Sequence, residues 1–160
     1  MARKWSLAPE LYATADTTTD VQWMRVMADQ DTTPVSVDTA KPRFTLVVGP
    51  SPFSMPRGWE FFLTAPYEGA TYIATVMHNA GYPVRIIDVR YDPTPLETAY
   101  REILKGTDVL GVATFEDNFP WVRELMEHVK FARPDIPIIA GGSLVTSVPH
   151  IFMSETKTDI

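Results

Sequence analysis

From Phe44 onward the chain alternates between short β-rich apolar runs and stretches whose apolar residues recur every three or four positions. This is the pattern of strands threaded between helices. Phe44-Thr45-Leu46-Val47-Val48 predicts the first strand, and Gly49 to Ala65, broken by Pro50, Pro52, Pro56 and Gly58, predicts a long irregular loop. Ala70, Ile73, Ala74 and Met77 mark the buried stripe of a helix that Gly81 terminates. A second strand is expected from Val84 to Val89. Thr94, Pro95 and Glu97 have the spacing of a capping box around a first-turn proline, and Leu96, Ala99, Tyr100 and Ile103 form the stripe of the helix they open, which Gly106 ends. Val109 to Ala113 predicts the third strand, and Val122, Leu125, Met126 and Val129 line a third helix stopped by Arg133-Pro134. Ile136 to Ala140 predicts the fourth strand, opening on Gly141-Gly142, and a fourth helix is expected after Pro149.

Right-handed crossovers between such strands give an open, doubly wound parallel sheet of the flavodoxin-like (Rossmann-like) α/β class, with strand order 2-1-3-4. The chain stops at Thr158-Asp159-Ile160, where a fifth strand is expected to start, so the domain, residues 43–160, reads as truncated before its last strand. Residues 1–42 differ in being Thr-, Asp- and Ala-rich and ending in Lys41-Pro42; they read as an N-terminal arm. Within it Thr19-Asp20 has the chemistry to cap a short helix carrying Val21, Met24 and Ala28, and both docking on the domain and disorder are open to it.

Composition narrows the chemistry. The chain has 160 residues, a net charge of −6 and no run of Lys or Arg, so neither a nucleic acid nor an anionic membrane is an expected partner. The absence of cysteine removes disulfides, thiolate zinc sites, iron–sulfur clusters and thiol nucleophiles together. No stretch approaches the roughly 20 apolar residues of a membrane span. Nothing after Met1-Ala2-Arg3-Lys4 resembles a signal peptide, so a cytoplasmic location is expected.

In an open parallel sheet ligands lie beyond the carboxyl ends of the strands, which directs attention to the loops after Val48, Val89, Ala113 and Ala140. Gly141-Gly142-Ser143-Leu144-Val145-Thr146 offers backbone with little side-chain bulk, suited either to close approach of a flat ligand or to an ordinary strand-to-helix turn. Thr114-Phe115-Glu116-Asp117-Asn118 carries a hydroxyl, an aromatic face, two carboxylates and an amide, with Asp117 or Asn118 expected to cap the following helix. Adjacent Glu116 and Asp117 point apart, and His78, His128 and His150 form no ligand pair at helical spacing, so neither a catalytic nor a metal site is expected. Gly49-Pro50-Ser51-Pro52 lacks the glycines and amide donors of a phosphate-binding fingerprint.

Four segments in order carry a resemblance: Pro66-Tyr67-Glu68-Gly69-Ala70, Asn79 to Asp88, Asp108 to Ala113, and Arg133 to Gly142. Together they resemble the cobalamin-binding domain that precedes the radical SAM core in corrinoid-dependent methyltransferases and in the anaerobic Mg-protoporphyrin monomethyl ester cyclase. The likeness covers about residues 43–160. Cobalamin domains of methionine synthase and methylmalonyl-CoA mutase carry D-x-H-x-x-G, S-x-L and G-G motifs. Aligned on Gly69, the first falls on Thr64 to Gly69 and puts Pro66 where the cobalt-binding histidine stands. The second falls on Ala113-Thr114-Phe115 and the third on Gly141-Gly142. Ala113 stands in place of the serine, and Leu144 in place of a histidine often found in the radical SAM relatives.

The resemblance implies cobalamin held base-off with no protein histidine below the cobalt. Its implied site comprises Pro66, Tyr67, Glu68 and Gly69 before the first helix, Thr114, Phe115 and Glu116 after the third strand, and Gly141, Gly142, Ser143, Val145 and Thr146 after the fourth. The C-x-x-x-C-x-x-C motif is missing, so no catalysis is expected from this chain alone. A 4Fe-4S cluster and S-adenosylmethionine would belong to a downstream radical SAM domain of the same parent protein. The alternative is a non-enzymatic sensory or interaction module of the same fold holding another small ligand, such as a flavin.

Overall fold

The computed structural model describes residues 37–50 and 67–160. The expected helix near Thr19, nearly all of the expected loop from Gly49 to Ala65, and Pro66 lie outside the described residues. In chain order the elements are β1 (Phe44–Val48), α1 (Glu68–Asn79), β2 (Val84–Asp88), α2 (Pro95–Leu104), β3 (Val109–Ala113), α3 (Phe119–Ala132), β4 (Ile138–Gly141), α4 (Ser143–Ser147) and α5 (Pro149–Glu155). All pairings are parallel and the sheet order is β2-β1-β3-β4, an α/β fold of the flavodoxin-like class. No helix among the described residues is long and apolar enough to cross a membrane.

Alternation along the strands divides the sheet into two faces. Val47, Leu110, Val112 and Ile138 point to one face, where Ala99 and Ile103 of α2, Val122, Leu125, Met126 and Val129 of α3, and Phe152 of α5 complete a fully buried core. The stripes expected on α2 and α3 are therefore both core-facing. The register aligns Leu46 with Gly111 and Gly111 with Ile139, then Val48 with Ala113 and Ala113 with Gly141. These rows face the opposite side, where α1 packs along β2 and β1.

The glycines that end α1 and α2 follow the expected signals, whereas the expected side-chain cap of α2 does not form. Gly81, at φ +81°, closes α1, and Gly106, at φ +126°, follows α2, both backbone conformations that favour glycine. Thr94 occupies the N-cap of α2 and Pro95 its first position, but the expected capping box does not form. The Thr94 hydroxyl is directed to Asp92 Oδ1 at 3.2 Å, and Asp92 also accepts the Thr94 amide at 2.7 Å, a tighter local turn that competes with the cap. In the segment from Gly141 to Thr146 the chain leaves β4 at Gly141, turns at Gly142 and enters α4 at Ser143.

Two polar ties lie at opposite edges of the sheet. At the amino end Arg85 donates to Thr45 Oγ1 at 3.0 Å, to Thr107 Oγ1 at 3.3 Å and to the Glu102 carbonyl at 2.5 Å, while the buried Thr45 and Thr107 hydroxyls pair at 2.8 Å. Beyond β4, Asp159 donates its amide to the Ile138 carbonyl at 2.9 Å, and its carboxylate accepts from Ile138 N–H and from Lys130 Nζ, each at 2.7 Å. Thr158 and Ile160 add contacts to the same strand, so the residues where a fifth strand was expected hydrogen-bond to β4 without forming a strand of their own.

Removing the guanidinium by Arg85→Met should lower stability by about 1–3 kcal/mol by leaving buried hydroxyl and carbonyl groups short of partners. Urea denaturation should show a reduced midpoint with an unchanged slope. The Lys130 hydrogen bond, then the Ile138 amide, holds the Asp159 carboxyl below the usual carboxylate range. A depressed carboxyl stabilises the fold above its unfolded value of about 4 and loses that contribution as pH falls toward the lower folded value. The stability difference between wild type and Asp159→Asn should therefore be largest at neutral pH and shrink in acid; a difference constant from pH 7 to pH 2 would count against this account.

Candidate functional site

The face that carries α1 holds a hollow of about 320 Å³. Its floor is the row Leu46, Gly111 and Ile139 together with Ala113 and Gly141, and its wall is Gly69, Ala70, Ile73 and Met77 of α1. The depth comes from small residues at the sheet centre. A Cβ on Gly111 would stand 2.6 Å from Leu46 Cδ2, whereas one on Gly141 would meet no described residue within 4 Å. The α1 stripe expected to be core is buried only at Ala70, and Ile73 is 50% exposed because it borders this hollow rather than a packed interior.

At the carboxyl ends of the strands the hollow meets a second, more polar depression of about 580 Å³, bordered by Gly49, Pro50, Arg90 and the loop Phe115 to Asn118. Tyr67 lines both. Its ring stands edge-on to Phe115, centroids 5.5 Å apart at 85°, an arrangement favoured by the ring quadrupoles. Burial pushes the Tyr67 phenol up, with nearby Arg90 pulling the other way. Arg90 is itself held by Asp88, Nε to Oδ1 at 2.9 Å and Nη2 to Oδ2 at 2.7 Å.

The strand ends are locked together by backbone. Thr114 N–H donates to the Gly141 carbonyl at 2.7 Å, and the Thr114 hydroxyl, fully buried, donates to the same oxygen at 2.9 Å. Gly142 adopts φ +119° and ψ −177°, and a Cβ there would strike the Thr114 carbonyl oxygen. The second glycine is thus required by close packing of β3 against β4, in a region of backbone space that only glycine occupies readily.

Asp117 or Asn118 was expected as the cap of α3. Asn118 stands at the N-cap but makes no side-chain cap bond. Its amide turns back instead, Oδ1 accepting from Phe115 N–H at 2.9 Å and Nδ2 donating to the Ala113 carbonyl at 3.2 Å, with 2% of the residue exposed. The loop carrying Thr114, Phe115 and Glu116 is shaped by this clamp. Across it Ser143 donates its hydroxyl to Glu116 Oε2 at 3.2 Å.

The expected site residues fall into three groups. Tyr67, Gly69, Gly141 and Gly142 line the hollow, and Phe115 and Glu116 line the adjoining depression. Glu68 is exposed in the first turn of α1 and Val145 packs against the core. Thr146 donates its hydroxyl to Gly142 O at 2.8 Å within its own helix. Leu46, Gly111, Ile139, Ile73 and Met77 line the hollow without having been expected as site residues. The available signal was Gly111 in the middle of an otherwise β-branched and aliphatic strand, a mark of close approach by another group, here the Leu46 side chain on the same floor. Among the described residues no group of three or more His, Cys, Asp or Glu is placed to hold a metal ion.

The model of the B12 binding domain matches residues 62–160, more than half of the chain, and its span contains all but the first strand of this sheet. The chain belongs to the B12-binding domain family. No curated protein and no solved structure matches it. Membership in the B12-binding family gives cobalamin as the ligand class and lends no support to a flavin. The residues present fit that group. An apolar hollow of this size, floored by glycine and alanine and opening onto a polar depression at the strand ends, suits a flat heteroaromatic attached to a polar, amide-bearing macrocycle.

Gly142→Ala should destabilise the domain by about 1–3 kcal/mol through backbone strain alone, whereas Gly141→Ala should be nearly neutral. Asn118→Ala should also cost about 1–3 kcal/mol by orphaning the Phe115 amide. Chemical denaturation of the three variants side by side checks the ranking; equal effects at the two glycines would refute the packing account.

Proposed function

We propose that this B12-binding domain holds cobalamin base-off, with the benzimidazole end of its nucleotide tail in the hollow between α1 and strands β1, β3 and β4. No protein histidine would stand below the cobalt, because Pro66 occupies the position that the ligand histidine takes in methionine synthase-type domains and has no lone pair or proton to offer. The observation that carries this reading is the hollow itself, apolar, floored by Gly111, Ala113 and Gly141, and continuous with the strand ends where open parallel sheets take ligands.

Each candidate residue then has a task. Gly69 and Gly141 leave room for the tail, and Tyr67 and Phe115 border its entrance with aromatic faces. Thr114 and Thr146 hold the glycine pair in place through their hydroxyl bonds to Gly141 O and Gly142 O. Glu116 and Ser143, at the exposed rim, are available to the amide side chains of the corrin, and Val145 anchors α4 from the core side. Pro66 and Glu68 flank the entrance in sequence. When bound, cobalamin supplies a cobalt centre that carries and gives up an alkyl group.

The domain would serve as the cofactor module of a larger cytoplasmic radical SAM methyltransferase or cyclase. The resemblance of its segments to the domains preceding such cores supports that parentage, and the cluster-binding cysteines would reside in the partner domain.

The test is binding of hydroxocobalamin. The purified protein should retain a red chromophore through gel filtration and display a base-off spectrum. Gly141→Phe should weaken binding by tenfold or more, about 1.4 kcal/mol or greater, while the unfolding midpoint stays near wild type. Undiminished affinity in a folded Gly141→Phe variant would reject the placement of the tail.

A further inference from the structure

The hollow differs from most small-molecule sites in the near absence of side-chain hydrogen-bonding groups. Among the described residues its lining side chains are hydrocarbon or, at Met77, a thioether, and the single side-chain polar group is the Tyr67 hydroxyl at its junction with the second depression. The backbone groups of the floor are engaged in the parallel ladders that join β1, β3 and β4. A ring inserted here meets Leu46, Ile139, Ile73 and Met77, and none of the described side chains deep in the hollow can receive an amino group or a ring nitrogen.

We infer that this hollow selects among corrinoids by the lower base, accepting hydrocarbon-edged bases such as dimethylbenzimidazole and disfavouring purines. The inference rests on the placement of the tail proposed above. An adenine base would carry its exocyclic amine and ring nitrogens out of water into a wall without partners, whereas the two methyl groups of dimethylbenzimidazole gain by the same transfer. Apolar walls discriminate weakly between hydrocarbons of similar size but strongly against a group whose hydrogen bonds they leave unmade.

The experiment compares equilibrium binding of cobalamin, its adenine-based analogue pseudocobalamin, and cobinamide, which has no base, to the full chain and to Met77→Gln. Glutamine is close to methionine in shape and helix preference, and the site is on the helix surface, so folding should be retained; Ile73→Gln is the second variant. Wild type should prefer cobalamin to pseudocobalamin by about tenfold or more, and the glutamine variants should narrow that ratio. The change in ratio between proteins is the decisive quantity, since the readiness of each corrinoid to release its own base in solution is a property of the free ligand and cancels. A ratio that neither glutamine variant moves would overturn the selectivity. Cobinamide binding as tightly as cobalamin would overturn it too, by showing that the base makes no contact, while leaving corrinoid binding intact. Failure of all three corrinoids to bind would instead remove the proposed function on which the inference stands.

Discussion

A parallel sheet is stable only when both faces are shielded from water, and this constraint governs how the rest of the molecule is arranged. One face is sealed by α2, α3 and α5 around Leu110, Val112 and Ile138, all essentially inaccessible. On the other, α1 lies along β2 and β1. Over β3 and β4 the described residues leave apolar floor accessible between the helix and the strand ends. Apolar surface left in water forgoes about 25 cal/mol for each Å² that could be covered. In the proposed mode of binding, a cofactor carrying a flat apolar ring would complete the layer and be oriented by it.

The periodicity of the chain was sufficient for the architecture. The strand order, the starts and stops of α2 and α3, and their buried stripes follow from apolar spacing and from Gly81, Gly106, Pro95 and Arg133-Pro134, because core packing against a sheet demands that spacing. The same logic misread α1. Ile73 and Met77 have core spacing, yet they face Gly111 and Ala113 across a gap, and helical periodicity cannot distinguish a stripe that packs on protein from one that borders a cavity.

Polar side chains were the less legible part. Asn118, Thr114 and Thr146 each had a familiar sequence role, as cap or as ligand-binding hydroxyl, and each instead bonds backbone within a few ångströms. Short polar side chains have several backbone partners of similar energy nearby, and tertiary geometry chooses among them. Thr94 is the same case on α2, where Asp92 takes its amide and draws its hydroxyl away from the cap. The Arg85 network illustrates the long-range version, since its partners Thr45, Glu102 and Thr107 are brought together only by the parallel register.

Neighbouring glycines 141 and 142 answer to different constraints, one to space that no described residue fills and the other to a backbone conformation and a close strand contact. Selection acting on the fold alone would preserve only the latter. In descendants of this domain that kept the architecture but abandoned the corrinoid, position 142 should stay glycine while position 141 drifts to larger residues that fill the vacated space. The pair thus separates, within two adjacent codons, the demands of folding from those of the ligand.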